Sequence, residues 1–213
     1  MINHLSAFSS RFAPIISEIG SERLPSLLVS MLKGLVPFDN AVIVHYHGGE
    51  KPVVHYNDIP PLERESQIDG FVNGAFLLDP FYRAAIDLRC RGLHRLSDLA
   101  PEGFKKTEYY RSYFKFTEIK DEIGYIIHLS NNQFINISLG RLGLTQRFNR
   151  TQLGILKDIE PIIESICNLQ WDSKDKNISD KTNELPGQLD SALKYFGTAY
   201  LTDRETQVVQ LFL

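Results

Sequence analysis

The residues best suited to bind a small molecule are a few polar side chains set among many aromatic ones. Asp79 precedes Pro80, so it can cap a helix that begins there or accept a hydrogen bond from a ligand, and the two roles are compatible. Asn136 and Ser138 alternate with apolar residues, which places their side chains on one face of a strand. They are candidate polar anchors in a pocket, and the alternative is that this face meets solvent.

Aromatic residues are concentrated between residues 57 and 120, which we call the middle segment. Such a group forms a core more often than a pocket wall. Its tyrosines favour a pocket slightly, because a buried phenol needs a hydrogen-bond partner. The group consists of Phe71, Phe76, Phe81, Tyr82, Tyr109, Tyr110 and Tyr113.

Three histidines, His45, His47 and His55, invite a metal interpretation, since zinc commonly takes imidazole ligands. If Tyr46 pairs with Lys51 across a hairpin, however, His55 lies on the face opposite the other two. No metal site is therefore predicted.

Catalytic signatures are missing from the sequence. It contains no Gly-rich phosphate loop, no Gly-x-Ser-x-Gly elbow and no His-Glu-x-x-His motif, so neither an enzyme nor a cofactor is predicted. Cys90 lies between Arg89 and Arg91, and flanking cations can make a thiol reactive. An inert cysteine beside a solvated basic turn is the simpler interpretation.

Composition is that of an ordinary globular chain. The 213 residues carry a net charge of −3 and are 43% hydrophobic, which argues against a broad nucleic-acid-binding surface. No apolar run approaches the roughly 20 residues that span a bilayer, and no signal peptide is recognisable. Two cysteines do not make a disulfide framework. A cytoplasmic protein without membrane association is predicted.

Hydrophobic periodicity predicts the elements that position these residues. Two helices over residues 5–20 and 21–35 precede a hairpin of strands 41–46 and 51–56, and Pro14 should kink or divide the first helix. In the middle segment we expect short helices at 67–72, from Pro80 and at 102–116, and a strand at 92–96.

The remaining elements are a hairpin and a long helix. Strands 124–129 and 134–140 form the hairpin. The helix starts at a capping box of Asn149 and Gln152, bends at Pro161 and ends near Trp171. The polar residues that follow read as a linker.

The end of the chain carries the most specific motif. Thr202 and Glu205 have capping-box spacing, and a Val/Leu/Phe stripe follows. The run Leu-Thr-x-Arg-Glu, which includes Arg204, resembles the opening helix of the LuxR-type DNA-binding domain. The resemblance implies that the chain carries only the start of that domain, and that the helix that reads the major groove is absent from it. An ordinary capped helix is the alternative.

The element order is also similar to a sensory fold of that family. We predict an α+β domain over residues 1–171, with an antiparallel sheet of about five strands and helices on both faces, PAS/GAF-like and similar to autoinducer-binding domains. A linker would cover 172–196, and the first helix of the DNA-binding domain 197–213.

The resemblance implies a pocket between the second hairpin and the middle segment. Asp79-Pro80 and Gly124 resemble positions of acyl-homoserine-lactone receptors, in which the Asp holds the ligand's amide. Those receptors also carry Trp and Tyr residues that this chain lacks, so a different small molecule, or none, is an equal alternative. The predicted ligand-binding residues are Asp79, Phe71, Phe76, Tyr82, Tyr110, Tyr113, Tyr125, Asn136 and Ser138.

The resemblance predicts a transcriptional regulator whose sensory domain binds a small-molecule effector and controls DNA binding, acting as a homodimer. It would contact DNA only through the missing C-terminal part. The alternatives are a ligandless protein-interaction or dimerisation module, and a small enzyme.

Overall fold

The computed structural model describes residues 2–48, 50–130 and 132–172. At its centre is a five-stranded antiparallel sheet in the order β2-β1-β5-β4-β3. The predicted terminal segment with Thr202, Arg204 and Glu205, like most of the predicted linker, lies outside the described residues. The strands are β1 Asn40–His47, β2 Val53–Asn57, β3 Gly92–Arg95, β4 Ile119–His128 and β5 Gln133–Leu142.

The helices precede, interrupt and follow the strands. Eight α-helices occur in the described ranges: α1 Ile2–Ser17, α2 Leu24–Leu35, α3 Gly70–Val72, α4 Pro80–Asp87, α5 Leu96–Leu99, α6 Glu108–Ser112, α7 Arg150–Asp158 and α8 Glu160–Cys167. Short 3₁₀ turns cover Pro61–Glu63, Ala75–Leu78, Phe104–Lys106 and Phe114–Thr117, and π-helical turns cover Glu65–Asp69 and Asn168–Asp172.

One layer of helices packs on the first face of the sheet. Side chains of α1, α2, α7 and α8 form a buried core with alternate residues of the central strands, among them Ile43, Tyr125 and Ile137. The Tyr125 hydroxyl donates to the Leu156 carbonyl at 2.7 Å, which ties β4 to α7. This layer supports the sheet on its first face.

The middle segment covers the second face. A second core joins Val44, Tyr46, Ile126 and Phe134 of the sheet to aromatic and small residues of the middle segment. The prediction of a five-stranded α+β sheet with helices on both faces is confirmed.

Several local predictions are confirmed by side-chain contacts. Asp79 caps α4 by accepting from the Phe81 N–H at 2.9 Å, with Pro80 in the first turn. Asn149 and Gln152 form a complete capping box. The helix they start is broken at residue 159, and Pro161 then lies in the first turn of α8, where its missing N–H costs nothing.

Other local predictions are wrong. Of the two outcomes predicted at Pro14, division of the helix is wrong, because α1 continues to Ser17, while a kink there stays a prediction. The helix expected at 102–116 is three short turns, because Thr107 is extended and Tyr113 leaves the helical region. Strand β4 begins at Ile119, five residues earlier than predicted.

The first hairpin has a different register from the predicted one. His45 pairs with Val53 rather than Pro52, and an irregularity between Ile43 and Val44 shifts the rest of the ladder. His55 therefore shares a face with His45, and the prediction that it lies opposite is wrong. The two imidazoles approach to 3.3 Å between Nε2 of His55 and Nδ1 of His45.

Candidate ligand-binding site

A cavity lies between the second face of the sheet and the middle segment. Its volume is about 60 Å³. A water molecule needs about 10–15 Å³ by this measure, so the cavity holds a few waters or one small functional group. Its wall is formed by Asn40, Val42, Val44, Ile59, Gln67, Ile68, Phe71, Asp79, Tyr109, Tyr113, Phe114, Thr117, Ile119, Glu122, Asn136 and Ser138.

Asp79 brings a carboxyl group to this wall from the start of α4. The residue is 5% exposed, and among the described residues only the Phe81 N–H donates to its carboxyl group. Burial raises the pKa of Asp79 from 3.8 to about 7, because the charged form loses its hydration, while the Phe81 hydrogen bond acts in the opposite direction. The carboxyl is thus able to exchange a proton near neutral pH.

Glu122 brings a second carboxyl group from strand β4. Burial is the main reason that its pKa rises from 4.5 to about 8, and the charge of Asp79 raises it further. The neighbouring Ser138 hydroxyl favours the charged form and partly offsets this rise. The residue keeps partial exposure because one side of it borders the cavity.

Asn136 and Ser138 lie side by side on strand β5, as predicted from their alternation. The Asn136 Nδ2 donates to the Ser138 Oγ at 3.0 Å. Asn136 is 2% exposed, and its Oδ1 has no hydrogen-bond partner among the described residues. A buried amide oxygen without a donor loses free energy relative to the hydrated state, so the site would gain from a donor supplied by a bound molecule.

Aromatic rings close the cavity on the side of the middle segment. Phe71, Tyr109, Tyr113 and Phe114 line it. The Tyr113 hydroxyl donates to the Gln67 carbonyl at 2.6 Å, which fixes that ring against the π-helical turn. The arrangement is a mostly apolar space walled partly by aromatic rings, with several polar side chains in its wall.

Five of the predicted ligand-binding residues are thus brought together: Asp79, Phe71, Tyr113, Asn136 and Ser138. Phe76 and Tyr82 pack instead in the adjoining aromatic cluster around Tyr46, with ring centroids 5.2 Å apart, and Tyr110 packs on Phe104 at 5.5 Å. Tyr125 needs correction: it points to the opposite face of the sheet, because odd-numbered residues of β4 face the helical layer.

Glu122 is the functional candidate that the sequence interpretation missed. It lies two residues before Gly124 on β4, so both face the middle segment. Starting the strand at Gly124 hid this alternation. The run Asp121-Glu122 looks like a solvated turn, yet Asp121 is buried by an ion pair with Arg95 at 2.6 Å.

Gly124 fits a close approach of α4 to the sheet. A Cβ atom at this position would lie 2.8 Å from Cε1 of Phe81 and 2.9 Å from Oδ1 of Asn136. The absence of a side chain therefore lets the first turn of α4, and Asp79 with it, reach the cavity.

The histidines form a separate cluster at the other end of β1. The rings of His45 and His47 are 3.7 Å apart, and Nε2 of His45 lies 2.9 Å from Oε1 of Gln133. Across the described ranges, no group of three or more His, Cys, Asp or Glu side chains is arranged to hold a metal ion. No helix in that part of the chain is long and apolar enough to cross a membrane.

The fold defines a class: an α+β domain with a cavity between its sheet and a cover of irregular helices. Two solved structures have a similar fold. The ligand-binding domain of VqsR from Pseudomonas aeruginosa superimposes with a TM-score of 0.64, at 23% identity, over 77% of this chain and 96% of that domain. SdiA from Escherichia coli superimposes with a TM-score of 0.54, at 12% identity, over 96% of this chain and 87% of SdiA.

A related sequence is an inferred HTH-type transcriptional regulator encoded 3′ of exeN in Aeromonas salmonicida. It is 26% identical over 140 residues, which cover 63% of this chain and 71% of the relative. No family model matches the chain. The resemblance to LuxR-type regulators is confirmed by the fold and by this relative.

Proposed function

We propose that this chain is the sensory part of a transcription regulator and that the cavity binds a small-molecule effector. The observation that carries the proposal is the cavity itself, in which buried polar groups of Asp79 and Asn136 face a space walled by aromatic rings. A pocket that is mostly apolar with a few convergent polar groups is the usual form of a small-molecule site. The regulatory relative and the fold of the VqsR ligand-binding domain support it.

The small volume of the cavity suggests how binding acts. An apolar cavity that binds benzene has a volume of about 150 Å³, and the volume of this one is about 60 Å³. An effector larger than a few atoms therefore requires a conformation in which the middle segment has moved outwards. Effector binding would select that conformation, and the population shift would be the signal.

DNA binding would be performed by a helix-turn-helix domain that begins near Thr202 and Glu205, outside the described residues. A dimer would match paired half-sites on DNA. The cytoplasmic location, the dimer and the absence of enzymatic activity stay predictions.

The test uses purified full-length chain and a low-molecular-mass extract of bacterial cells. Thermal unfolding is followed with and without extract, and native mass spectrometry identifies any bound molecule. Ser138→Phe and the milder Val42→Leu reduce the cavity, because both side chains line it. Ser9→Phe, at an exposed position of α1, is the matched control.

We expect the extract to raise the unfolding temperature of the wild type and of Ser9→Phe, and to raise that of the two cavity variants less or not at all. Circular dichroism shows whether the variants are folded. An undiminished response of folded Ser138→Phe would show that binding occurs elsewhere, and no response in the wild type would favour a ligandless interaction module.

A further inference from the structure

We propose that the effector of this cavity is a positively charged amine, whose ammonium group binds between Asp79 and Glu122. The inference rests on the proposed function, because it names the ligand class of the same cavity.

The first observation is the imbalance of charge. Two carboxyl groups, those of Asp79 and Glu122, line the cavity, and none of the described lining residues is Lys, Arg or His. They are close enough for the charge of Asp79 to disfavour ionisation of Glu122. If both carboxyl groups ionise they repel one another, and a cation placed between them stabilises the two charges.

The second observation is the number of acceptor-bearing residues on the wall. Asp79 accepts only one hydrogen bond from the described residues, from Phe81 N, and the buried Oδ1 of Asn136 accepts none. Glu122, whose charged form is favoured by the Ser138 hydroxyl, is the third acceptor-bearing residue that lines the cavity. An alkylammonium group has three N–H donors and no acceptor, so it satisfies such a set, whereas a carboxylate ligand would add to the deficit of donors.

The third observation is the aromatic wall. Phe71, Tyr109, Tyr113 and Phe114 line the same cavity as the carboxyl groups. Ring faces attract cations when these lie within about 6 Å of the centroid, and the attraction strengthens as water is excluded. Carboxyls together with rings are the chemistry that recognises amines.

Size and position are consistent with this assignment. An ammonium head group is close to a water molecule in size and fits a space of about 60 Å³. The rest of the effector would displace the middle segment, as the proposed function requires. The ammonium group would then bind at the closed end, at the sheet.

Binding should depend on pH with a definite sign. In the empty cavity the pKa values of Asp79 and Glu122 are about 7 and about 8, so the pair is largely protonated below neutral pH. An ammonium group needs the carboxylates, so binding releases protons, and below pH 7 affinity rises about tenfold per pH unit for each proton released. The facing groups Tyr46, Tyr109 and Tyr113 have raised pKa values and stay neutral there.

The experiment measures binding of n-butylammonium chloride to the full-length chain by isothermal titration calorimetry. 1-Butanol and sodium butyrate are the neutral and anionic probes of equal length. Glu122→Gln and Asp79→Asn remove the two charges and keep the shapes, and Asn retains the helix cap. Glu102→Gln, an exposed carboxyl of the middle segment, is the matched control.

We expect butylammonium to bind at least tenfold more tightly than butanol, and butyrate to bind least. Glu122→Gln should weaken butylammonium binding by about thirtyfold, as loss of one partner of a buried charge pair does, and Glu102→Gln should leave it unchanged. Titrations in buffers of different ionisation enthalpy should show proton release from the wild type, a readout that needs no variant.

Three outcomes overturn the inference: no binding of butylammonium, equal binding of butanol, or unchanged affinity in both charge-removing variants. The proposed function is decided separately by the cavity-reducing variants and the cell extract. A neutral or acidic metabolite that binds wild type but not Ser138→Phe would reject the amine and retain the sensory cavity.

Discussion

Asp79→Asn should stabilise the folded protein relative to the wild type at alkaline pH and should change its stability little at acidic pH. Asn caps a helix as well as Asp does, so the hydrogen bond from the Phe81 N–H is retained. What the substitution removes is the charge that a buried carboxyl acquires as the pH rises. The difference in unfolding free energy between variant and wild type therefore reports burial of this one group.

The magnitude follows from the pKa of Asp79. It is about 7 in the folded chain against an ordinary value of 3.8, so the fold favours the protonated form. The stabilisation is complete below the ordinary pKa and is lost as the pH rises through the folded pKa. Each pH unit in that interval corresponds to about 1.4 kcal/mol, so from about pH 5 to about pH 8.5 the wild type should lose about 3 kcal/mol relative to Asp79→Asn.

Urea unfolding followed by circular dichroism at several pH values measures this difference. Asp98→Asn, an exposed carboxyl in α5, is the control and should give a curve parallel to that of the wild type. Asp79→Ala separates the cap from the charge, because it should add a loss of about 1 kcal/mol at every pH. Parallel curves for Asp79→Asn and wild type would refute the reasoning, since they would mean that water or a cation already compensates the carboxylate.

Two further substitutions test how the cavity wall is built. Gly124→Ala should lower the free energy of unfolding by about 1–3 kcal/mol, because its Cβ would lie 2.8 Å from the Phe81 ring. A loss below about 0.5 kcal/mol in urea unfolding would show that α4 can move away from the new side chain with little loss of stability. Asp121→Ala should cost about 2–4 kcal/mol in the same assay, because it leaves Arg95 and the Phe148 N–H without their acceptor, and a cost under about 1 kcal/mol would show that water replaces it.

The sequence predicted the elements whose signals are local. The caps at Asp79 and Asn149 and the break before Pro161 depend on residues within one helical turn, and all three are confirmed. The register of the first hairpin was predicted wrongly: His45 pairs with Val53 instead of Pro52, and an irregularity between Ile43 and Val44 then shifts the pairing further, which no composition rule reveals. The pairing between the strands, which the local sequence pattern does not determine, set the register.

In the candidate site, too, residues with a local sequence signal were predicted and residues without one were missed. Asn136 and Ser138 were found because alternation along a strand is visible in sequence, and Asp79 because Pro80 follows it. Glu122 was missed, since nothing local says that a carboxyl in a charged run faces a cavity. Tyr125 was placed wrongly for a related reason: both faces of β4 are apolar and buried, so alternation of polarity does not tell which face meets the middle segment.

The arrangement of the cavity also determines which of its walls can move. Strands β1, β4 and β5 are joined by long antiparallel ladders, and the layer of α1, α2, α7 and α8 packs on their other face. Displacing that wall would break many hydrogen bonds together, whereas the cover consists of helical turns of three to eight residues that can open separately.

Hydrogen bonds of β3 connect the middle segment to α7 and α8, the last described α-helices. Strand β3 belongs to the middle segment, and its Leu93 N–H donates at 2.8 Å to Oε2 of Glu160, in the first turn of α8. Arg95 of the same strand donates to the Phe148 carbonyl at 2.7 Å, just before α7. A shift of the cover that carries β3 with it would therefore alter the position of α7 and α8, and α8 leads through its π-helical turn into the part of the chain where the DNA-binding helix is predicted. In the proposed mechanism, these hydrogen bonds of β3 would transmit a shift of the middle segment to α7 and α8.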